Sequence, residues 1–221
     1  MALPDQRRFT PLFPSYRSTL ANLLGLRLIA TGVPIEEIDR SLRPGEWAPL
    51  ARTTDGFLYE NALALPRVLF AGRAIAVDQE ALLRDGRWPE VDLRSTVLLS
   101  GVPHGEPAAV PLPAREPGRA SVVSYAPTEI VVEVESGSAG YLVLNDPYHP
   151  WWTAEIDGYE APVLLANAIF RAVPVAAGRH RVRFVFRPFA GAWREARQRW
   201  PLLRRIAGSP ESGSAQDTVL R

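Results

Sequence analysis

Residues 141–188 read YLVLNDPYHPWWTAEIDGYEAPVLLANAIFRAVPVAAGRHRVRFVFRP, and this stretch decides the fold. Turn signals recur in it every few residues: Asp146-Pro147, Asp157-Gly158 and Ala177-Gly178. Between them lie short runs rich in β-branched and aromatic residues. Residues 141–145, 153–156, 159–163 and 168–175 read as strands, with Asp157-Gly158 a tight hairpin turn. In 179–187, Val182, Phe184 and Phe186 form one face and Arg181, Arg183 and Arg187 the other, the period-two pattern of a half-buried strand. Pro174 places its strand at an edge or a bulge, because proline cannot donate to a ladder. Strands at this spacing predict an antiparallel sandwich.

Upstream, residues 120–125 and 129–134 read as two more strands, with Ile130, Val132 and Val134 on one face of the second. Residues 101–118 hold five prolines and read as a linker or long loop. Before that stretch, 15–24 and the segment PIEEIDRSL predict short helices, and LRLIAT a buried strand. Residues 46–61 predict a hairpin turning at Asp55-Gly56, and 66–77 a strand pair or one strand bent at Gly72. A short helix is expected over 78–85, N-capped by Asp78 and stopped by Gly86. Residues 97–100 read as a buried strand.

These readings give a β-rich α+β protein. Residues 1–112 form a small N-terminal α/β subdomain with an extended N-terminal arm. Residues 113–189 form an antiparallel, jelly-roll-like β-sandwich. Residues 190–221 form an amphipathic Arg-rich helix and a disordered tail.

The totals narrow the function. A chain of 221 residues is long enough to bury a sizeable core. An apolar content of 47% excludes wholesale disorder. A net charge of +1 gives no electrostatic argument for a nucleic-acid partner. All 25 basic residues are arginine, which reflects a GC-rich genome more than a function. Cysteine is absent, which removes disulfides and thiolate chemistry. No apolar run reaches the roughly 18–20 residues of a membrane helix. The first residues have no apolar core of a signal peptide. His104, His149 and His180 are too far apart in sequence to suggest a metal site, and no cofactor motif is present. No G-x-S-x-G elbow occurs.

The opening stretch resembles the C-terminal extracytoplasmic domain of the bacterial YfhO membrane protein family. That family is similar to polytopic glycosyltransferases that use lipid-linked sugars. The resemblance rests on Asp146-Pro147-Tyr148-His149-Pro150, on Trp152-Thr153-Ala154-Glu155-Ile156-Asp157-Gly158, and on Asn167-Ala168-Ile169-Phe170-Arg171-Ala172-Val173-Pro174-Val175. It continues through Ala177-Gly178-Arg179-His180-Arg181-Val182-Arg183-Phe184 and closes on Phe186-Arg187-Pro188. Thinner matches lie at Asn22-Leu23-Leu24-Gly25-Leu26-Arg27, at Tyr59-Glu60-Asn61 and at Ala64-Leu65-Pro66-Arg67. Trp151 departs from the glycine usual before Trp152. The membrane helices of the family are missing from the sequence, which reads as an excised domain or a free-standing relative. The family's catalytic carboxylate belongs to a loop outside this region, so no catalytic residue carries over.

What the resemblance implies is a non-catalytic extracytoplasmic accessory domain of a glycosyltransferase-like membrane protein, on the periplasmic face, recognising carbohydrate or lipid-linked sugar. Tyr148, Trp151 and Trp152 are the candidate stacking faces. Asn145, Asp146, Asp157 and Asn167 are candidate acceptors for sugar hydroxyls, with Arg171 beside them. The competing reading makes Trp152 a core residue, Asp157 part of a turn, and Arg171 one half of an ion pair with Asp146 or Asp157. On that reading the chain is a structural or protein-interaction module with no small-molecule site. A glycan hydrolase is a third class. Phe189, Trp193 and Trp200, flanked by arginines, suit a membrane surface as well as they suit a packed helix.

Overall fold

The computed structural model describes residues 13–43, 45–101 and 118–189. The chain divides into a unit over 1–186 and a second over 187–221. The expected C-terminal helix and tail, with Trp193 and Trp200, lie outside the described residues, as do 1–12 of the expected arm and 102–117 of the expected linker.

The described chain opens with α1 (Thr19–Leu23), capped by the Ser18 hydroxyl, which accepts from the Ala21 amide. Next come β1 (Leu28–Thr31), α2 (Ile35–Ile38), β2 (Ala48–Thr53) and β3 (Gly56–Glu60). The three strands form an antiparallel sheet in the order β1-β3-β2, and the hairpin at Asp55-Gly56 is as expected. Its core is Ile35, Trp47 and Tyr59. Two expectations change here. The segment read as a buried strand is an edge strand with Leu28 52% exposed, because β1 pairs only with β3 and turns only one face to this core. The PIEEIDRSL helix lasts one turn. Asp39 leaves the helical conformation, and its carboxylate accepts from the Tyr16 and Ser41 amides and the Ser41 hydroxyl.

Then follow β4 (Val68–Ala71), β5 (Arg73–Ala76), α3 (Gln79–Asp85) and β6 (Thr96–Leu99). Asp78 caps α3 by accepting from the Glu80 and Ala81 amides, and Gly86 ends it at φ 65°. Helix α3 crosses between β5 and β6, which run parallel. The remaining strands are β7 (Arg119–Ala126), β8 (Glu129–Ser136), β9 (Gly140–Leu144), β10 (Trp152–Ile156), β11 (Tyr159–Ala161), β12 (Leu164–Ala166), β13 (Phe170–Val175) and β14 (Gly178–Phe186).

These strands build a five-stranded sheet, β11-β10-β14-β8-β7, and a six-stranded sheet, β4-β9-β13-β12-β6-β5. The architecture is a β-rich, sandwich-like α+β fold. Strands β4 and β5 are separated only by Gly72, yet they stand at opposite ends of the six-stranded order, so that sheet curls on itself. It is buried on both faces. In β9, Tyr141 and Val143 join one core with Leu98, Phe170, Leu20, Leu23 and Leu82. Leu142 and Leu144 join the other with Val173, Ile130, Val132, Val182 and Phe184, between the two sheets. This double burial is why YLVL, VLFA and TVLL read as unbroken apolar runs.

The six-stranded sheet takes three strands from each side of the proline-rich stretch. The division expected at 112/113 therefore runs through this sheet. Pro174 sits inside the strand order, but β12 pairs β13 only as far as Ala172, so beyond that point β13 is open on the β12 side. Residues 168–169 belong to the β12–β13 turn and not to β13; Asn167 and Ala168 both have positive φ, 46° and 72°.

Candidate functional site

Sheet register brings distant residues to one carboxylate. Strand β9 ends at Leu144, where β4 pairs on one side and β13 on the other: Val68 and Arg171 are both register partners of Leu144. The Asn145 amide extends the β4 side by donating to the Arg67 carbonyl, 2.8 Å. Asp146 follows directly, so Arg67 and Arg171 flank it. Its Oδ1 accepts from Arg67 Nη1 at 2.6 Å. Its Oδ2 accepts from the Tyr125 hydroxyl at 2.9 Å and from Arg171 Nη2 at 3.4 Å. Tyr125 comes from the end of β7, in the other sheet.

Arg171 is 2% exposed and reaches from the six-stranded sheet into the layer between the sheets. Its guanidinium carbon lies 4.0 Å from the Trp152 ring centre and 5.6 Å from that of Phe184. Nη1 donates to the Pro147 carbonyl at 2.9 Å, while Nε has no partner among the described residues. Burial lowers its pKa to about 10, opposed by the Asp146 charge, and it stays a cation at neutral pH. Cation–π contact with Trp152 and the Asp146 pair offset the desolvation of that charge.

The cluster thus sets two guanidinium ions against one carboxylate. Arg67 is half exposed and lies over the Tyr125 ring, 5.0 Å from its centre. It uses Nη1 for bonds to both Asp146 and the Tyr125 oxygen, leaving Nε and Nη2 without a hydrogen bond among the described residues. The Tyr125 phenol is pushed up by burial and by its bond to Asp146. Asn145 donates to the Pro66 carbonyl while its Oδ1, buried, has no partner among the described residues. The arrangement offers further donors on a half-exposed, fixed guanidinium beside an aromatic ring.

The eight residues singled out from sequence fall in four places, Asn145 lying next to Asp146 with its amide on the Arg67 carbonyl. Asp146, Arg171 and Trp152 meet as described, and Tyr148 is tied beside them by its amide, which donates to the Ile169 carbonyl at 2.7 Å. Trp151 is half-buried in a second aromatic group, 4.8 Å from His149 and 6.0 Å from Phe186, with Trp152 5.2 Å from the same Phe186. Asp157 is at the far end of β10 from Trp152, about 16 Å away along the strand, where its carboxylate accepts from the Arg181 amide and faces His180. Asn167 is fully buried on the other face of the curled sheet. Its amide donates to the Leu98 carbonyl and its Oδ1 accepts from the Leu98 amide, both 2.9 Å. Gln79 completes that knot by donating to Leu98 O and accepting from the Ala168 amide.

Of the pairings expected for Arg171, the structure shows the one with Asp146. Arg67 and Tyr125 were not singled out. Arg67 lies in the Leu-Pro-Arg segment matched upstream, which was its only signal. Among the described residues no group of three or more His, Asp or Glu side chains could hold a metal, and no helix is long and apolar enough to cross a membrane. No family model, curated protein or solved structure matches this chain.

Proposed function

We propose that the chain is a non-catalytic, extracytoplasmic accessory domain of a glycosyltransferase-like membrane protein of the YfhO type, and that it recognises carbohydrate or lipid-linked sugar on the periplasmic side. The resemblance over 141–188 supports the family. The observation that carries recognition is the rim formed by Arg67, Tyr125 and Asp146. Tyr125 is 52% exposed, and the half-exposed guanidinium beside it is held by two hydrogen bonds from one nitrogen. Aromatic faces pack on sugar rings, and fixed donors meet their hydroxyls. Trp152 and Arg171 support the rim from behind, Arg171 donating to Asp146 and to the Pro147 carbonyl. Phe189, 90% exposed, Trp193 and Trp200 supply a membrane-facing surface on this reading.

The test is a glycan array run with wild-type protein, Tyr125→Ala and Arg67→Gln. Wild type retains a glycan at millimolar sugar and both variants release it. A folded wild type that retains none at that concentration contradicts the proposal. The alternative, a module that holds a protein partner, draws on the apolar outer surface of the three-stranded sheet, where Leu28 and Leu50 are each about half exposed. On that alternative, Leu28→Glu abolishes partner binding and leaves the array unchanged.

A further inference from the structure

We propose that His180 and Asp157 form an acid-favoured clasp that fixes the β10–β11 hairpin to β14 and loosens as pH rises. Asp157 and Gly158 make the two-residue turn between these strands, at φ 52° and 87°. The Asp157 amide donates to the Arg181 carbonyl at 2.9 Å, and Oδ1 accepts from the Arg181 amide at 2.8 Å. Oδ2 is left for the ring: His180 Nδ1 lies 2.7 Å from it. The other ring nitrogen, Nε2, lies 3.3 Å from the Ala177 carbonyl oxygen. Gly178, at φ 125°, leaves the space that Nε2 occupies, since a β-carbon there would sit 3.3 Å away.

Both ring nitrogens therefore face oxygen acceptors. A neutral imidazole has one N–H, so either tautomer turns a lone pair towards an oxygen. The imidazolium donates to both. The surroundings add no competing charge. Arg179 and Arg181, either side of His180, and Glu133 and Glu135, either side of its β8 partner Val134, point to the opposite face by strand alternation. Glu155 and Glu160 pair on that same outer face. Tyr159, paired with Ile156, is 80% exposed. Across the core lie Val173 and Val175. Asp157 is the one charged group facing the ring among the described residues.

The shifts agree with this geometry. The Asp157 bond raises the His180 pKa above the ordinary histidine value. The Arg181 amide, then His180, lower that of Asp157. A raised histidine contributes stability that is full below its ordinary pKa and is lost as pH climbs through the folded value. A lowered aspartate contributes stability present above its ordinary pKa and lost as pH falls through the folded value. The clasp is tightest between the two. What loosens first is β11, a three-residue outermost strand paired only with β10.

Two NMR measurements on the full chain test this. The His180 ring signals, followed against pH, titrate above the ordinary histidine value of about 6.5, and Asp157→Asn moves that titration down. Amide exchange at residues 157–161, corrected for its intrinsic pH dependence, speeds up about fivefold across the His180 titration, the scale of one solvent-screened, partly exposed ion pair. His180→Gln flattens that pH response. A His180 titration at or below the ordinary value, or corrected exchange at 157–161 that ignores pH, overturns the proposal.

Discussion

Arg171 and Arg67 serve the same carboxylate in different surroundings, and the difference separates what each contributes to stability. Arg171 is enclosed by Trp152, Phe184 and Asp146, so removing it leaves a void between the sheets and a buried acid with fewer donors. Arg171→Leu is expected to cost about 3 kcal/mol in urea unfolding. Arg67 is half exposed, and solvent screens its pair. Arg67→Gln is expected to cost less than about 1 kcal/mol while weakening any sugar contact. Equal losses for the two variants would contradict this division. Turn chemistry made Asp157-Gly158 legible in the sequence, and the candidate partners of Arg171 were already few. Arg67 and Tyr125 were not legible as its companions. Arg67 is 79 residues from Asp146, and only the register of β4 against β9 brings them together.

Among the elements, β4 and β9 show how closely this fold is fitted. The Phe70 ring lies against both Gly118 and Gly140, and a β-carbon at either glycine would overlap it. At Gly140 the Ala71 carbonyl closes the space as well, only 2.7 Å from where that carbon would stand. Gly140→Ala is expected to destabilise by about 2 kcal/mol through forced displacement of Phe70, seen as a lower Tm. An unchanged Tm would mean that the β4–β9 seam has slack. Alternation exposed the strands that bury one face, β8 and β14, because polar and apolar residues take turns there. The three-residue β12 carries too little pattern to stand out beside Ala161-Pro162. Its turn, Asn167-Ala168, puts an alanine at positive φ where turn rules favour glycine. The parallel pairing of β5 and β6 shows in the sequence only as the order strand, helix, strand over 66–77, 78–85 and 97–100, with no sign of register.

For the molecule as a whole, the six-stranded sheet binds the two sides of the proline-rich stretch into one structure. A fragment of residues 113–189 would lack β4, β5 and β6 and would leave an apolar face of β9 uncovered. It is expected to show the collapsed NMR dispersion of an unfolded chain, whereas a well-dispersed spectrum would show that the sandwich stands alone. The same sheet delivers Arg67 and Arg171 to Asp146, and the five-stranded sheet delivers Tyr125, so the rim proposed for recognition exists only when both sheets are assembled. Titration of the isotope-labelled full chain with the glycan retained on the array tests this most directly. The account predicts that the signals of Tyr125 and the Arg67 side chain shift with added sugar, while those of Asn167 and Asp157 stay in place. Shifts confined to other surfaces, or no shift at millimolar sugar, would contradict it.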